Sequence, residues 1–363
     1  MERRNNPSSV LLVLAAGVLW GTVGPAQVLA GSGANPVAVG GARILSGGVI
    51  LAALVLAADP GAFRALSRRT WPPVAAASAA TGIFQASFFS AVGRTGAAVA
   101  TAVVFGLAPV STGLCERLVL RTRLSGRWWA GTACAIGGVA LLAAPGPDVH
   151  VDLLGVALSL VAGTCFGVYT VSAKVLTGRS APAGGSMGMA AAVSVTLLAG
   201  GSVLLPWTLA DLPALAEPRS AALVAWLGIA ATAAAYMFFV TGLNRVSAAT
   251  AGTLSLAEPL VAAVLAVAVL GERMSGRVAA GAVLLLGGLA VVSVPARAPR
   301  TRRARREREA ARYDGANATG AVKVETTTGE RNQSAHRAPG CTGPLRRGAR
   351  SALRREQRGG SRA

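Results

Sequence analysis

Ten apolar segments of about twenty residues each occupy most of the first 295 residues of this chain, and short polar connections separate them. A helix rises ~1.5 Å per residue, so a segment of this length crosses the ~30 Å hydrocarbon core of a bilayer. Only 14% of the residues are charged, whereas soluble domains usually carry about 25%. We therefore predict an all-α membrane protein with ten transmembrane helices, at residues 9–29, 36–57, 74–93, 97–116, 128–145, 153–173, 185–206, 221–241, 248–270 and 278–295.

The chain also repeats itself, because residues 9–145 resemble residues 153–295. Matched positions include Pro109/Pro259, Arg123/Arg273, Ser125/Ser275, Gly131/Gly281 and Gly138/Gly288. The paired glycines predict places where helices approach each other closely. Since each half holds five helices, an odd number, the second half enters the membrane from the opposite side. Inverted repeats are typical of secondary transporters, although a duplication that only enlarges a helix bundle leaves the same pattern.

Basic residues are unevenly distributed between the two predicted sides of the membrane. If the N-terminus is cytoplasmic, the outer connections hold only Arg94, Arg219, Arg273 and Arg277, whereas the N-terminus and the inner connections hold Arg3, Arg4, Arg64, Arg68, Arg69, Arg117, Arg121, Arg123, Arg127, Lys174, Arg179 and Arg245. The positive-inside rule favours this orientation, with both termini cytoplasmic. The first segment resembles a secretory signal peptide, but its AGVLWG matches AGTCFG in the second half, so we expect it to be retained.

Residues 296–363 differ in composition from the apolar body. They hold about half of the Lys and Arg residues and lack a hydrophobic period. We expect a basic, disordered cytoplasmic tail that contacts anionic lipids. We expect no nucleic-acid partner, because no binding motif accompanies the charge.

Two stretches carry a resemblance to a known family. They are LSLAEPLVAAVLAVAVLGERMSGR in the second half, and LWG around Trp20 with Arg43 in the following segment. They resemble the EamA family of the drug/metabolite transporter superfamily, and the resemblance covers both halves. It implies a ten-helix inner-membrane carrier that exports amino acids, metabolites or drugs. In the first half, Ala108 replaces the acid before the proline and Thr122 stands opposite Glu272, so a mechanism rests on the second-half carboxylate and the first-half arginine.

Glu258 is the strongest candidate functional residue, because a carboxylate near the middle of an apolar segment is energetically costly. Low dielectric favours its protonated form, which suits a proton carrier or a ligand for an amine; a hydrogen bond to a neighbouring helix is the simpler interpretation. Pro259 lacks a backbone donor, which predicts a kink or notch that Pro109 shares. Arg43 could bind a substrate carboxylate, pair with Glu258, or extend to the lipid headgroups.

Other polar and aromatic side chains could line a central cavity or simply pack between helices. They are Trp20, Gln85, Phe88, Tyr169, Tyr236 and Asn244. Glu116 is expected to be solvated or salt-bridged at a helix end. Trp128 and Trp129 are expected to lie at the membrane interface.

Several function classes lack the residues they need. His150 and His336 fall outside the apolar segments, so we expect neither a metal nor a cofactor, and no GxxxxGK[ST] loop is present for ATP. Intramembrane hydrolysis lacks a Ser–His pair or paired aspartates, so we do not expect an enzyme. The sequence predicts a secondary transporter of the cytoplasmic membrane that exports a small metabolite, amino acid or drug-like solute, driven by protons or another gradient. The alternatives are a scaffold or receptor acting through the tail, or a translocator of lipid-linked substrates; a homodimer is also open.

Overall fold

The computed structural model describes residues 7–64, 66–144, 152–178, 183, 185–271 and 273–294. The predicted tail at 296–363 and Glu272 lie outside the described residues. The described part contains helices and no β-strand. The α-helices are α1 (Pro7–Gly21), α2 (Val23–Ala30), α3 (Pro36–Ala58), α4 (Trp71–Leu120), α5 (Gly126–Leu142), α6 (Leu153–Leu176), α7 (Gly185–Gly201), α8 (Leu205–Ala210), α9 (Leu212–Ala216), α10 (Pro218–Gly228), α11 (Ala235–Leu243), α12 (Ala248–Leu254), α13 (Ala257–Ala268) and α14 (Gly276–Ser293).

Eight described helical segments are long and apolar enough to cross a membrane. One of them, the 50-residue α4, covers two of the segments predicted from the sequence, and Gly96 within it has non-helical dihedral angles of φ 80° and ψ 156°. Helix α5, with 17 residues, is shorter than any of the eight. The all-α membrane class is therefore confirmed, while ten crossings stay a prediction.

Capping side chains explain where several helices begin. Ser125 and Ser275, which the sequence repeat pairs, each accept a hydrogen bond of 3.2 Å from the amide three residues later and begin α5 and α14. Asp152 begins α6 in a similar way and also pairs with Arg94 of α4, with 3.2 Å between nitrogen and oxygen. Hydrogen bonds from the Leu154 amide and from Arg94 hold the pKa of the Asp152 carboxyl below its ordinary value.

Helices α5 and α14 pack against each other along the glycines at which the sequence repeat predicted close approach. A Cβ atom built on Gly138 would lie 2.7 Å from the Gly281 carbonyl oxygen, and one on Gly288 would lie 2.6 Å from that of Gly131. A side chain of any size would push the two backbones apart. The predicted close approach at these glycines is confirmed, and their order shows that the helices run antiparallel.

The largest buried cluster runs through most of the helices and includes residues of α1, α6, α11 and α12. Phe239, Leu243 and Leu254 within it are fully buried. Helix α1 approaches α11 closely, since a Cβ atom on Gly242 would lie 2.6 Å from a methyl carbon of Val13. This core holds α1, α11 and α12 in fixed register beside the candidate site.

Candidate functional site

Glu258 lies just after a break in its helix. Helix α12 ends at Leu254 and α13 begins at Ala257. Because Pro259 has no backbone N–H, the Ser255 carbonyl lacks its usual helical donor and instead accepts a 3.0 Å hydrogen bond from the Glu258 amide. Glu258 is half-buried in the first turn of α13. Discontinuous helices of this kind frequently form binding sites in transporters.

The first-half proline does not have the same effect. Helix α4 continues through Pro109, and the hydroxyls of Ser111 and Thr112 both donate to the Ala108 carbonyl, at 2.9 and 2.6 Å. The expectation that both halves share one notch is therefore wrong at the level of the helix. Local side-chain hydrogen bonds accompany the unbroken helix in the first half.

Helix α13 approaches α1 at the LWG motif. A Cβ atom on Gly21 would lie 2.7 Å from the Glu258 carbonyl oxygen and 2.6 Å from Cβ of Val261. A Cβ atom on Gly17, one turn earlier, would lie 3.1 Å from Cβ of Ala257. The glycine of the motif thus allows α13 to pack closely against α1.

Five aromatic side chains from α1, α6 and α11 pack together beside this break. The Trp20 ring lies 5.6 Å from Tyr236 and 5.2 Å from Phe239 between centroids, and Tyr169 lies 5.5 Å from Tyr236. Phe166 completes the group, 6.5 Å from Trp20. The structure therefore brings together three predicted residues, Trp20, Tyr169 and Tyr236. The sequence reasoning missed Phe166 and Phe239, although each lies one helical turn from a predicted tyrosine.

Arg43 reaches this interior from α3. Its guanidinium lies within electrostatic range of the Tyr236 hydroxyl and the Glu258 carboxyl, but no salt bridge within 4.0 Å joins it to Glu258. Its Nε atom is buried and has no hydrogen-bond partner in the structure. Because this atom is buried, the Arg43 side chain does not extend to the lipid headgroups. A buried guanidinium donor without a partner is available to a ligand.

A π-helical segment, Ile229–Ala234, leads into Tyr236 and was not expected from the sequence. Thr232 within it is fully buried, and its hydroxyl has no hydrogen-bond partner. It packs on α3 one turn from Arg43, since a Cβ atom on Gly47 would lie 2.5 Å from its methyl carbon. Single π turns frequently mark functional sites, because they disturb the regular backbone pairing of a helix.

The remaining predicted residues have different surroundings. Gln85 is 2% exposed, and its side-chain nitrogen has no partner. Phe88 stacks on Phe84, 5.7 Å between centroids, outside the aromatic group of Trp20. Asn244 is exposed at the end of α11, so the structure does not place it with the other candidates.

Two expectations about helix ends are wrong. Trp128 is 5% exposed and packs against Gly113, so it belongs to the interior and only Trp129 is exposed. Glu116 is neither solvated nor salt-bridged; it is 3% exposed and accepts a hydrogen bond from another helix. The sequence could not predict the burial of Trp128 or of Glu116, because each depends on which other helix packs against that residue.

The arrangement suits binding better than bond-making chemistry. It offers a cation, an acid and aromatic ring faces, which can hold a small polar solute by its charged groups and its apolar part. Among the described residues, no group of three or more His, Cys, Asp or Glu side chains could hold a metal ion.

Comparison with known proteins agrees with this geometry. The model of the EamA-like transporter family matches residues 7–144 and again 153–294. The chain is 36% identical over 291 residues to the uncharacterized transporter YwfM of Bacillus subtilis, covering 80% of this chain and 95% of that protein. It is 34% identical over 146 residues to the threonine/homoserine exporter RhtA of Escherichia coli, covering 39% of this chain and 46% of that protein.

The fold is also known from a solved crystal structure. That structure matches with a TM-score of 0.66 and 22% identity, over 79% of this chain and 96% of its own. Two matches to one family model, a helical membrane fold and a relative similar along most of its length all agree. The chain therefore belongs to the EamA-like transporter family and is a multi-pass membrane transporter.

Proposed function

We propose that this transporter is a secondary carrier that exports a small solute, such as an amino acid or another small metabolite, across the cytoplasmic membrane by alternating access. The observation that carries the proposal is the pair of unlike charges, Arg43 and Glu258, which two helices bring into one half-buried site lined by aromatic rings. Charged groups inside a membrane protein are costly, and they mark solute or proton pathways.

In this proposal each charge has a distinct role. Arg43 binds a carboxylate of the solute, because a guanidinium donates two parallel hydrogen bonds to such a group. Glu258 binds an amine or carries the coupling proton. Trp20, Tyr169 and Tyr236 contact the apolar part of the solute, and Gln85 is a further polar candidate. Asn244, exposed at a helix end, is excluded from the solute contacts in this proposal.

We further propose ten crossings arranged as two inverted halves, 9–145 and 153–295. The non-helical Gly96 supports counting α4 as two helices, and α5 supplies another. The contact between Gly131 and Gly288 has a counterpart between Gly281 and Gly138, as a two-fold axis in the membrane plane requires. Such symmetry supports a mechanism in which one half rocks against the other around a central site.

The proposed orientation follows from the distribution of charge. Both termini lie in the cytoplasm, because most basic connections then lie on that side. The turn between α11 and α12 is then cytoplasmic. The tail at 296–363 attaches to anionic lipid and does not take part in solute movement.

The experiment begins with an untargeted comparison of metabolites inside and outside cells that have or lack this protein. A solute that accumulates inside cells lacking it is then tested for counterflow into liposomes that hold the purified protein. Threonine and homoserine are tested first, because the relative RhtA is named as their exporter. We expect at least one solute to show protein-dependent counterflow. Counterflow no faster than in empty liposomes, for every solute that changes in cells, would contradict the carrier function.

A further inference from the structure

The turn between α11 and α12, residues 243–249, combines buried apolar residues with the exposed Asn244 and Arg245. Leu243, Val246, Ala248 and Ala249 are each at most 1% exposed. The turn connects two parts of the candidate site, since α11 carries Tyr236 and the helix after α12 carries Glu258. The turn therefore lies between Tyr236 and Glu258 along the chain.

Glu116 of α4 holds the second half of the turn. Its Oε2 atom accepts a 2.6 Å hydrogen bond from the Ala249 amide, in the first turn of α12. A carboxylate is favourable there, because the first amides of a helix have no partner within the helix. The contact is almost completely buried, so water does not replace it while this end stays closed.

Lys174, in the last turn of α6, holds the first half of the turn. Its Nζ atom donates to the Leu243 carbonyl and, at 2.6 Å, to the Val246 carbonyl. The Leu243 carbonyl ends α11, where helices leave acceptors unpaired, and the Val246 carbonyl lies in the turn that follows. Lys174 also lies within electrostatic range of Glu116. Two opposite charges from different helices therefore bind the two sides of one turn.

Exposure differs between the two sides of the candidate site. Arg43, Tyr236 and Glu258 are half-buried, whereas Phe239 and Leu254, toward the turn, are fully buried. The side chains between the candidate site and the turn are therefore buried on the side of Glu116 and Lys174. Buried charges contribute little net stability but can fix one arrangement of a bundle.

We propose that Glu116, Lys174 and the turn 243–249 form a latch that closes the cytoplasmic end of the site and must open for the solute to enter from that side. The proposal rests on the proposed function. Glu116 and Lys174 are positioning residues: they act through the backbone of the turn and do not contact the solute. The latch holds only while both ends of the turn are bound, so loss of either charge shifts the protein toward the state that is open to the cytoplasm.

The test measures access to Ser255, a fully buried residue between the turn and Glu258. Ser255→Cys is introduced into full-length protein whose native cysteines are replaced by alanine. A membrane-impermeant maleimide is then applied to everted vesicles, in which the cytoplasmic face is outside. Glu116→Leu or Lys174→Met should raise the labelling rate about tenfold or more, because each removes a charge-assisted hydrogen bond and leaves a backbone group unpaired. Lys174→Arg, which keeps the donors, should label more slowly than Lys174→Met.

Arg245→Met is the matched control, because it removes an exposed cation from the same turn without touching the latch contacts. It should leave labelling unchanged. Unchanged labelling in both Glu116→Leu and Lys174→Met overturns the latch; if one variant does not fold, the other decides. Labelling needs no solute, so a latch that opens in a protein without solute counterflow would refute the proposed function alone.

Discussion

At the scale of single residues, the candidate site contains two charged side chains that no direct salt bridge joins. Arg43 and Glu258 come from different halves of the chain, and each lies within electrostatic range of the other. In the proposed function, a solute with a carboxylate and an amine binds both at once. In the same proposal, a proton on Glu258 removes the negative charge when the solute leaves.

Glu258→Gln tests the role of the proton. The variant keeps the size and polarity of the side chain but cannot exchange a proton. We expect wild-type solute flux in liposomes to respond to an imposed pH gradient and the flux of Glu258→Gln not to respond. Glu217→Gln, at an exposed acid, should keep the wild-type response. A response to pH in Glu258→Gln equal to that of wild type would remove Glu258 from proton coupling.

The sequence could predict Arg43, Glu258 and Trp20, because charged residues and tryptophan stand out among alanine, valine and leucine. It could not predict Phe239 or Thr232 as parts of the site. A phenylalanine in an apolar helix does not stand out from its neighbours in the sequence. The unpaired hydroxyl of Thr232 lies in a π-helical turn, and no local sequence motif predicted that turn. Asn244 stays a prediction, because its polarity also fits the exposed helix end at which it lies.

At the scale of helices, the second-half proline, Pro259, accompanies the break between α12 and α13, and Glu258 lies directly after that break. Helix α4 shows that a proline alone does not suffice, because it passes Pro109 without a break. The identical residue in two matched positions therefore produces different backbones. Sequence comparison predicted the symmetry of the prolines but not this asymmetry between the two helices.

Replacement of the two prolines separates their roles. Pro259→Ala supplies an amide that can donate to the Ser255 carbonyl, so we expect α12 and α13 to join and Glu258 to turn away from its present direction. Solute flux should fall by roughly tenfold, equivalent to ~1.4 kcal/mol in the barrier. Pro109→Ala, measured in the same flux assay, should have a smaller effect. Equal effects of the two variants would show that the break before Glu258 has no special role.

The seam between α5 and α14 offers a matched pair of adjacent glycines. A Cβ atom on Gly288 would lie 2.6 Å from the Gly131 carbonyl oxygen, whereas one on Gly287 would have no atom within 4 Å. We expect Gly288→Ala to lower the free energy of unfolding by about 1–3 kcal/mol through overpacking. Gly287→Ala should be neutral or stabilising by up to ~1 kcal/mol through helix propensity. Denaturant unfolding in detergent micelles measures both, and equal effects would contradict the close packing.

At the scale of the whole molecule, the two halves explain the site better than either half does alone. Arg43 and Trp20 come from the first half, whereas Tyr169, Tyr236 and Glu258 come from the second. The sequence predicted two halves because the internal repeat, with an odd number of helices in each half, can be recognised from the sequence alone. Which faces meet could not be predicted, because small residues occur on every side of these helices.

Removal of the tail tests whether transport belongs to the apolar body alone. A chain that ends at Pro295 should keep solute flux within about twofold of the full-length rate, because the residues of the proposed site precede it. Flux in liposomes is compared with and without anionic lipid. Loss of flux in both lipids would assign the tail a direct part in transport and favour an account in which the protein acts through it.

The most direct test of the central claim is solute counterflow in liposomes by wild type, Arg43→Met and Glu258→Gln. Arg219→Met and Glu217→Gln serve as controls at exposed positions. If Arg43 and Glu258 together hold the solute, each of their variants should weaken half-saturation by about 10- to 100-fold, as expected for a lost charge-assisted hydrogen bond, and the controls should match wild type. Wild-type half-saturation in both Arg43→Met and Glu258→Gln would contradict a solute site between the two halves.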